Sequence, residues 1–558
     1  MLSLEVGKYR ESVDQEIARL ESIDFLKRLW QRDSAIFTGE SGDESVSGFL
    51  GWLDAADRTR EHLDELEAFA ANVKGEDTFK RTVLAGMGGS SLAPLVLSKT
   101  LAEALSGPSL DVLDSTDPET VFKADQRAAP DDTLFLIASK SGTTAEPSAF
   151  DAYFWDCAQQ KLGKRAGGHF AAITDPGSPL AEDARQRGFR QVFENWADIG
   201  GRFSALSLFG MVPAAILGVD LVEFLNRADR VLKDHGPEQS VAQAEGVRLG
   251  AALATLAKQG VDKMTLLLPE RLSTFGLWLE QLIAESTGKH GVGVFPIACE
   301  PIGDPDSYGD DRVFVYIRPR SDTSLATQFN AIRQTGKPYL ALEMADEMDL
   351  ASQFVIWEIA TAVMGATLGI NPFDQPNVQE SKDVTSALLK DLDAGGALPE
   401  ENPAAQDDSF AIYGGQGGSV TETILDYLNS TPEGGYITLQ TYVPTNTVND
   451  EEMVALQGAV RDRTKRATSA GFGPRYLHST GQYHKGGPDK ARFIQITAAH
   501  RKELPIPGKQ YGFGSFIDAQ AYGDRKALED KGRPVLRIHI MGDATEGLRR
   551  LQKIVREG

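Results

Sequence analysis

The sequence predicts an α/β protein. Two doubly wound parallel-sheet domains follow one another, with a helical region before them and an additional C-terminal α/β domain after them. Three observations carry this expectation. Short apolar runs alternate with segments long enough for crossover helices, first from residue 82 and again from about residue 262. Two of those runs end in loops of Gly, Ser and Thr. At 558 residues the chain is also too long for one hydrophobic core.

Residues 1–80 read as a helical N-terminal region, because Leu20, Ile23, Leu26, Leu50 and Leu53 recur near helical spacing among charges, with a Gly/Ser/Asp break at 39–48. In 81–225, the runs TVLAG, LDVLDS, TLFLIAS, FAAIT and RQVFE read as strands, and Ser204–Gly218 as an apolar helix buried between domains. In 226–390, MTLLLPE, VFVYIRP and PYLALEM read as strands, while 274–288 and 352–369 read as helices closed by glycine. The Gly/Pro/acidic stretch 391–409 is expected to be a linker. In 410–558, the strands are YITLQTYV, ARFIQITA and VLRIHIMG.

A formal charge of −23 argues against nucleic acid and anionic membranes as partners. If a phosphate binds, local N–H groups and a few placed cations must hold it against the overall field. The two cysteines, Cys157 and Cys299, build no disulfide framework, and no Cys/His spacing suggests zinc. The N-terminus lacks a signal-peptide pattern and no run approaches a membrane span of about 18 residues, so a cytoplasmic protein is expected.

The chemistry concentrates in two loops, 86-GMGGSS-91 and 139-SKSGTT-144. Strand, small-residue turn and helix together aim backbone N–H groups and a helix N-terminus at an anion. The first loop partly fits the dinucleotide pattern G-x-G-x-x-G, with Asp114 placed for a ribose, but Ser91 stands where the third glycine belongs. The hydroxyls of Ser139, Ser141 and Thr144 instead suit a terminal phosphate monoester.

GMGGSSLAP, SKSGTTAEP, 200-GGRFSALS-207, 281-QLIAESTGK-289 and 370-INPFDQPNVQESK-382 together resemble the glucose-6-phosphate isomerase family, which is built from two sugar-isomerase domains. They occur in the family's order across roughly residues 80–385. Length and the third block resemble the isomerase half found fused to transaldolase in some bacteria, with no transaldolase half apparent in these residues. The resemblance implies a cofactor-independent, metal-free isomerase of glucose 6-phosphate and fructose 6-phosphate that works through an enediolate. It also implies a homo-oligomer, with a separate transaldolase as a further possible partner. A broader isomerase that also accepts mannose 6-phosphate and a non-catalytic sugar-phosphate sensor remain alternatives.

The resemblance assigns substrate binding to Gly88, Gly89, Ser90, Ser139, Lys140, Ser141, Thr143, Thr144 and Gln281. Glu285 resembles the base, one helical turn beyond Gln281 and flanked by Leu282, Ile283 and Ala284. Arg202 resembles the arginine that stabilises the enediolate, and Lys382 the lysine that closes the last motif. The family also has a ring-opening histidine between its Glu and Lys motifs, contributed across a subunit interface. Only His290 lies there in this chain, and its context does not match. The third block carries 476-YLHSTGQYHKGGP-488, which makes His484 and His478 the candidates for a donor from a different chain position. His62, His169, His235, His500 and His539 lack polar-motif context and read as structural.

Overall fold

The computed structural model describes residues 2–75 and 79–558. Within residues 2–75 the regular elements are helices except at the start, where strand β1 (Leu2–Glu5) buries Leu2 and Leu4 and exposes Ser3 and Glu5. Four residues of alternation are too few to stand out in a sequence, and β1 gains its place only by pairing with a strand more than 300 residues away.

The first sheet comprises β2 (Arg81–Gly86), β3 (Ser109–Leu113), β4 (Thr133–Ala138), β5 (Phe170–Thr174) and β6 (Gln191–Glu194). It is parallel throughout, in the order β3-β2-β4-β5-β6. Its central strands are apolar on both faces, as a sheet covered by helices on both sides requires. The chain leaves β2 toward β3 on one side and then returns to place β4 on the other. The order reverses there, and an open α/β sheet binds its ligands at that reversal, beyond the carboxyl ends of the strands.

The second sheet repeats the plan with β7 (Lys263–Leu267), β8 (Phe295–Ile297), β9 (Arg312–Pro319) and β10 (Tyr339–Met344), and β1 pairs antiparallel with β10 at its edge. β8 is three residues long and gives no readable run. Residues Glu347–Leu368 are long and apolar enough to cross a membrane by composition, contrary to the sequence expectation that no stretch is. Within the fold, 94% of the qualifying window is buried, which is the environment of a core helix.

The third sheet has the order β11-β12-β16-β15-β13-β14, with β11 (Ala405–Gln406), β12 (Phe410–Tyr413), β13 (Tyr436–Tyr442), β14 (Ala467–Phe472), β15 (Ala491–Ala498) and β16 (Val535–Ile540). The stretch read as a linker, 391–409, contains the end of the helix Val378–Asp393 and strand β11.

The third domain is built into the other two. Phe513, Phe516 and Ala519, on the helix Phe513–Asp530, share one core cluster with Val83, Phe135 and Phe150 of the first domain. Arg475 clamps Asp114 at the end of β3 with two hydrogen bonds, 2.6 and 2.8 Å, so Asp114 serves a domain contact and not a ribose. On the second domain, Arg312 and Glu300 form a fully buried pair, and Glu300 also accepts the Thr468 backbone N–H. A crevice of about 440 Å³ opens at the carboxyl ends of β13, β15 and β16, bordered by Asp117 of the first domain and by Tyr442, Asn446 and His500 of the third.

Candidate active site

The two predicted loops flank the order reversal of the first sheet, since Gly86 and Ala138 are neighbours in the ladder between β2 and β4. In the first loop, Gly88 has φ +53°, and a Cβ there would lie 2.8 Å from Gln281 Nε2. At Gly89, a Cβ would sit 1.9 Å from the carbonyl oxygen of Gly201. Glycine is therefore required for the GMGGSS and GGR loops to touch backbone to backbone. Ser90 is buried beside them.

In the second loop, Ser139 Oγ donates to Thr144 Oγ1 at 3.2 Å, and the hydroxyls of Ser141 and Thr143 are 2.9 Å apart. Thr144 is the N-cap of the 18-residue helix Ala145–Leu162 and makes no side-chain cap, so no protein side chain closes that positive helix end at its cap. Lys140 points its ammonium elsewhere. It pairs with Asp175 at 2.5 Å and donates to the carbonyl of Ala197. This leaves its backbone, not its charge, to the loop.

The helix Ser273–Thr287 of the second domain carries Gln281 and Glu285 to the same place. Glu285 is buried, with Gln281 Nε2 at 3.2 Å from one carboxylate oxygen and Arg202 Nη1 at 3.7 Å from it. Gln281 Nε2 also donates to the carbonyl of His478 at 2.7 Å, while its own Oε1 is buried without a partner. Such an orphaned acceptor is costly unless something else, water or a ligand hydroxyl, fills the gap.

Arg202 is held in a fixed plane. Nε donates to Ser286 Oγ (2.7 Å), Nη1 to Gln375 Oε1 (2.9 Å), and Nη2 to the carbonyls of Pro372 (2.7 Å) and Asp374 (2.9 Å). Burial lowers its pKa from the ordinary value, with Glu285 and Asp374 opposing. Close by, Lys289 is buried, bonded to the carbonyl of Asn371 and 2.6 Å from Asp374. Burial, and then the charge of Arg202, bring its pKa down to about 7.

The two histidine candidates have different fates. His478 ends the short helix Arg475–His478 and points Nε2 at Glu146 Oε1, 3.1 Å away. Burial alone would raise the Glu146 carboxyl, but His478, the Glu146 backbone N–H and the more distant Lys382 hold it below the usual carboxylate range. His484 lies on the helix Gly481–Gly486 and faces inward. Rings of Phe295, Tyr436, Tyr476 and Phe493 surround it, and Tyr436 OH meets its Nδ1 at 3.2 Å. Burial drives its pKa well below the ordinary value, which keeps it neutral. The fold therefore brings His478 to the cluster and leaves His484 in a core. Lys382 is exposed in the first turns of the helix Val378–Asp393, on the side where its charge reaches Glu146.

Sequence reasoning missed Glu146, Ser286, Lys289, Asp374 and Gln375 as parts of this cluster. Each lies inside a quoted motif (SKSGTTAEP, QLIAESTGK or INPFDQPNVQESK), so the signal was present without its role.

Comparison with known proteins finds sugar-phosphate isomerases among the proteins this chain is similar to. The profile of the family described as phosphoglucose isomerase matches residues 51–294. A glucose-6-phosphate isomerase of Carboxydothermus hydrogenoformans is 28% identical over 406 residues, covering 62% of this chain and 86% of that protein. One from Thermus thermophilus is 29% identical over 388 residues, covering 61% of this chain and 90% of the relative. Among solved structures, a hypothetical protein, also of Thermus thermophilus, shares the fold with a TM-score of 0.60 at 24% identity, over 69% of this chain and 99% of that one. A glucose-6-phosphate isomerase of Chlamydia trachomatis does so with a TM-score of 0.53 at 21% identity, over 66% of this chain and 78% of that one. The family segment, the motifs and these relatives make this chain similar to the phosphoglucose isomerases over residues 51–294 and, in the relatives, over 61–62% of its length.

Proposed function

We propose that this chain interconverts glucose 6-phosphate and fructose 6-phosphate by proton transfer through an enediolate. The observation that carries the reading is the convergence of Gln281, Glu285, Arg202 and the His478–Glu146 pair from three sheets onto one order reversal.

The phosphate sits at the uncapped N-terminus of Ala145–Leu162, on the hydroxyls of Ser139, Ser141, Thr143 and Thr144. The sugar lies across Gly88, Gly89 and Ser90, with a hydroxyl donating to the orphaned Gln281 Oε1. His478 in its protonated form donates to the ring oxygen as the C1–O5 bond breaks, and the C1 hydroxyl passes its proton to a water molecule, from which His478 is reprotonated. Glu146 steadies the imidazolium. Glu285 removes the proton from C2 and delivers it to C1. The exchange of protons between the oxygens on C1 and C2 completes the ketose. Arg202, already fixed by its four acceptors, faces the negative charge that grows on those oxygens without reorganising. Every protein group in this scheme belongs to one chain.

The test is conversion of fructose 6-phosphate by purified protein in the presence of a chelator, read through a coupled assay for glucose 6-phosphate. Turnover supports the isomerase. Binding of the sugar phosphate without turnover replaces it with a sensor.

A further inference from the structure

Glu146 accepts a second hydrogen bond, and the donor comes from the third domain. Gln520, on the helix Phe513–Asp530, places Nε2 at 2.8 Å from the same Oε1 that His478 meets. Its own Oε1 accepts Thr116 Oγ1 at 2.6 Å, just beyond β3. All four residues are buried or nearly so. The amide orientation is dictated chemically, because an ionised carboxylate only accepts and so the NH₂ must face it. The helix has little freedom to drift. Phe516, one turn before Gln520, and the adjacent Ala519 are packed into the first domain's core. On another face, a Cβ at Gly523 would meet Thr385 Oγ1 at 2.3 Å, and Ser381 bonds Asp524.

We infer that Gln520 is a positioning residue for the His478–Glu146 pair, acting in the ring-opening step of the reaction proposed above, on which this inference rests. By donating to Glu146 it fixes the carboxylate beneath His478 and draws off part of its negative charge. The third domain thus supplies the histidine and also sets how strongly the histidine holds its proton. Of the other ionisable groups, Lys382 on Val378–Asp393 and Tyr442 act on Glu146 itself; Tyr476, Asp524 and Lys485 form a bonded cluster with Tyr442; Glu280 and Glu285 on Ser273–Thr287, and Asp114 with Arg475, border the segment that carries His478. None of these groups makes a hydrogen bond or ion pair with Gln520, so a change confined to Gln520 leaves their direct partners in place.

Gln520→Met removes the donor with little change of volume. With that donor gone, Glu146 carries more unscreened charge, and the pair holds its last proton more tightly. The upper apparent pKa of the pair rises by about one unit, the size expected for one hydrogen bond to a charged group. It is read from ¹⁵N-histidine NMR titration of the full-length chain, with the His478 signal assigned by its loss in His478→Asn. In the isomerase assay kcat falls about tenfold with KM little changed, and Gln520→Met causes no further loss in the His478→Asn background. Thr116→Val leaves Glu146 and Gln520 in place but frees the amide. It shifts the titration in the same direction by less, and it carries the test if Gln520→Met does not fold. An unmoved titration, or losses that simply add, would assign Gln520 a structural role alone. If the wild-type chain does not isomerise, the activity reading falls while the titration still decides the role of Gln520.

Discussion

Arg202→Lys exchanges a planar fork for a point charge in a site shaped for the fork. The arginine satisfies Ser286, Gln375 and the carbonyls of Pro372 and Asp374 with bonds of 2.7–2.9 Å. A lysine is shorter, and its three protons lie at one atom, so it cannot span acceptors on opposite sides of the guanidinium. With two buried carbonyl oxygens losing their donor, at about 1–3 kcal/mol each, the variant should lose about 2–6 kcal/mol of stability. The same carbonyls belong to the motif that leads into Lys382, so the loosened loop also shifts that lysine. Because the charge no longer sits fixed 3.7 Å from Glu285, stabilisation of the enediolate is lost as well. Removing one such fixed donor costs about 10²–10³ in kcat. Urea unfolding followed by fluorescence reads the first effect, and steady-state kinetics on fructose 6-phosphate reads the second. A variant as stable as the wild type, with kcat within about threefold of it, would refute the reasoning that preorganisation of this fork carries the effect.

Two further outcomes follow from the same geometry. His484→Phe fills an aromatic core with another ring and should keep kcat within about twofold, whereas His478→Phe should lose about 10²-fold or more; equal losses would contradict the assignment of the two histidines. Burial pushes the Glu280 carboxyl from 4.5 up to about 8, with the Ser479 hydroxyl and Arg475 opposing. The folded state therefore keeps a proton that the unfolded chain releases between those values. The stability this contributes is fully present below about 4.5 and is lost as pH rises through 8, at up to about 1.4 kcal/mol per pH unit. Glu280→Gln, which stays neutral, should flatten that slope in unfolding measurements between pH 5 and 9, and an unchanged slope would place the titration elsewhere.

Much of the site is legible in the sequence because its recognition is local. The loops at 86–91 and 139–144 follow readable strands, and Gln281 and Glu285 share a face by helical spacing alone. What depends on distant contacts is not legible. Lys140 looks like a phosphate ligand until Asp175 is seen to hold it. His478 and His484 share one polar motif, and nothing in it tells that the second turns inward against Tyr436 and Phe493. Strand β14, ATSAGF, has no apolar run. It exists because β13 offers it a ladder, and it sets the start of the loop that delivers His478. Glu146 reads as an ordinary first-turn acid, and its part emerges only when His478 and Gln520 arrive from the third domain.

The central claim is that Glu285 carries the proton between C1 and C2. Fructose 6-phosphate is incubated with the purified chain in D₂O and chelator, and deuterium at C2 of the glucose 6-phosphate formed is read by NMR. The account predicts that label enters C2, and that Glu285→Gln slows both labelling and turnover by about 10²–10⁴-fold while the sugar phosphate still binds. A Glu285→Gln enzyme that labels and turns over at the wild-type rate would contradict it.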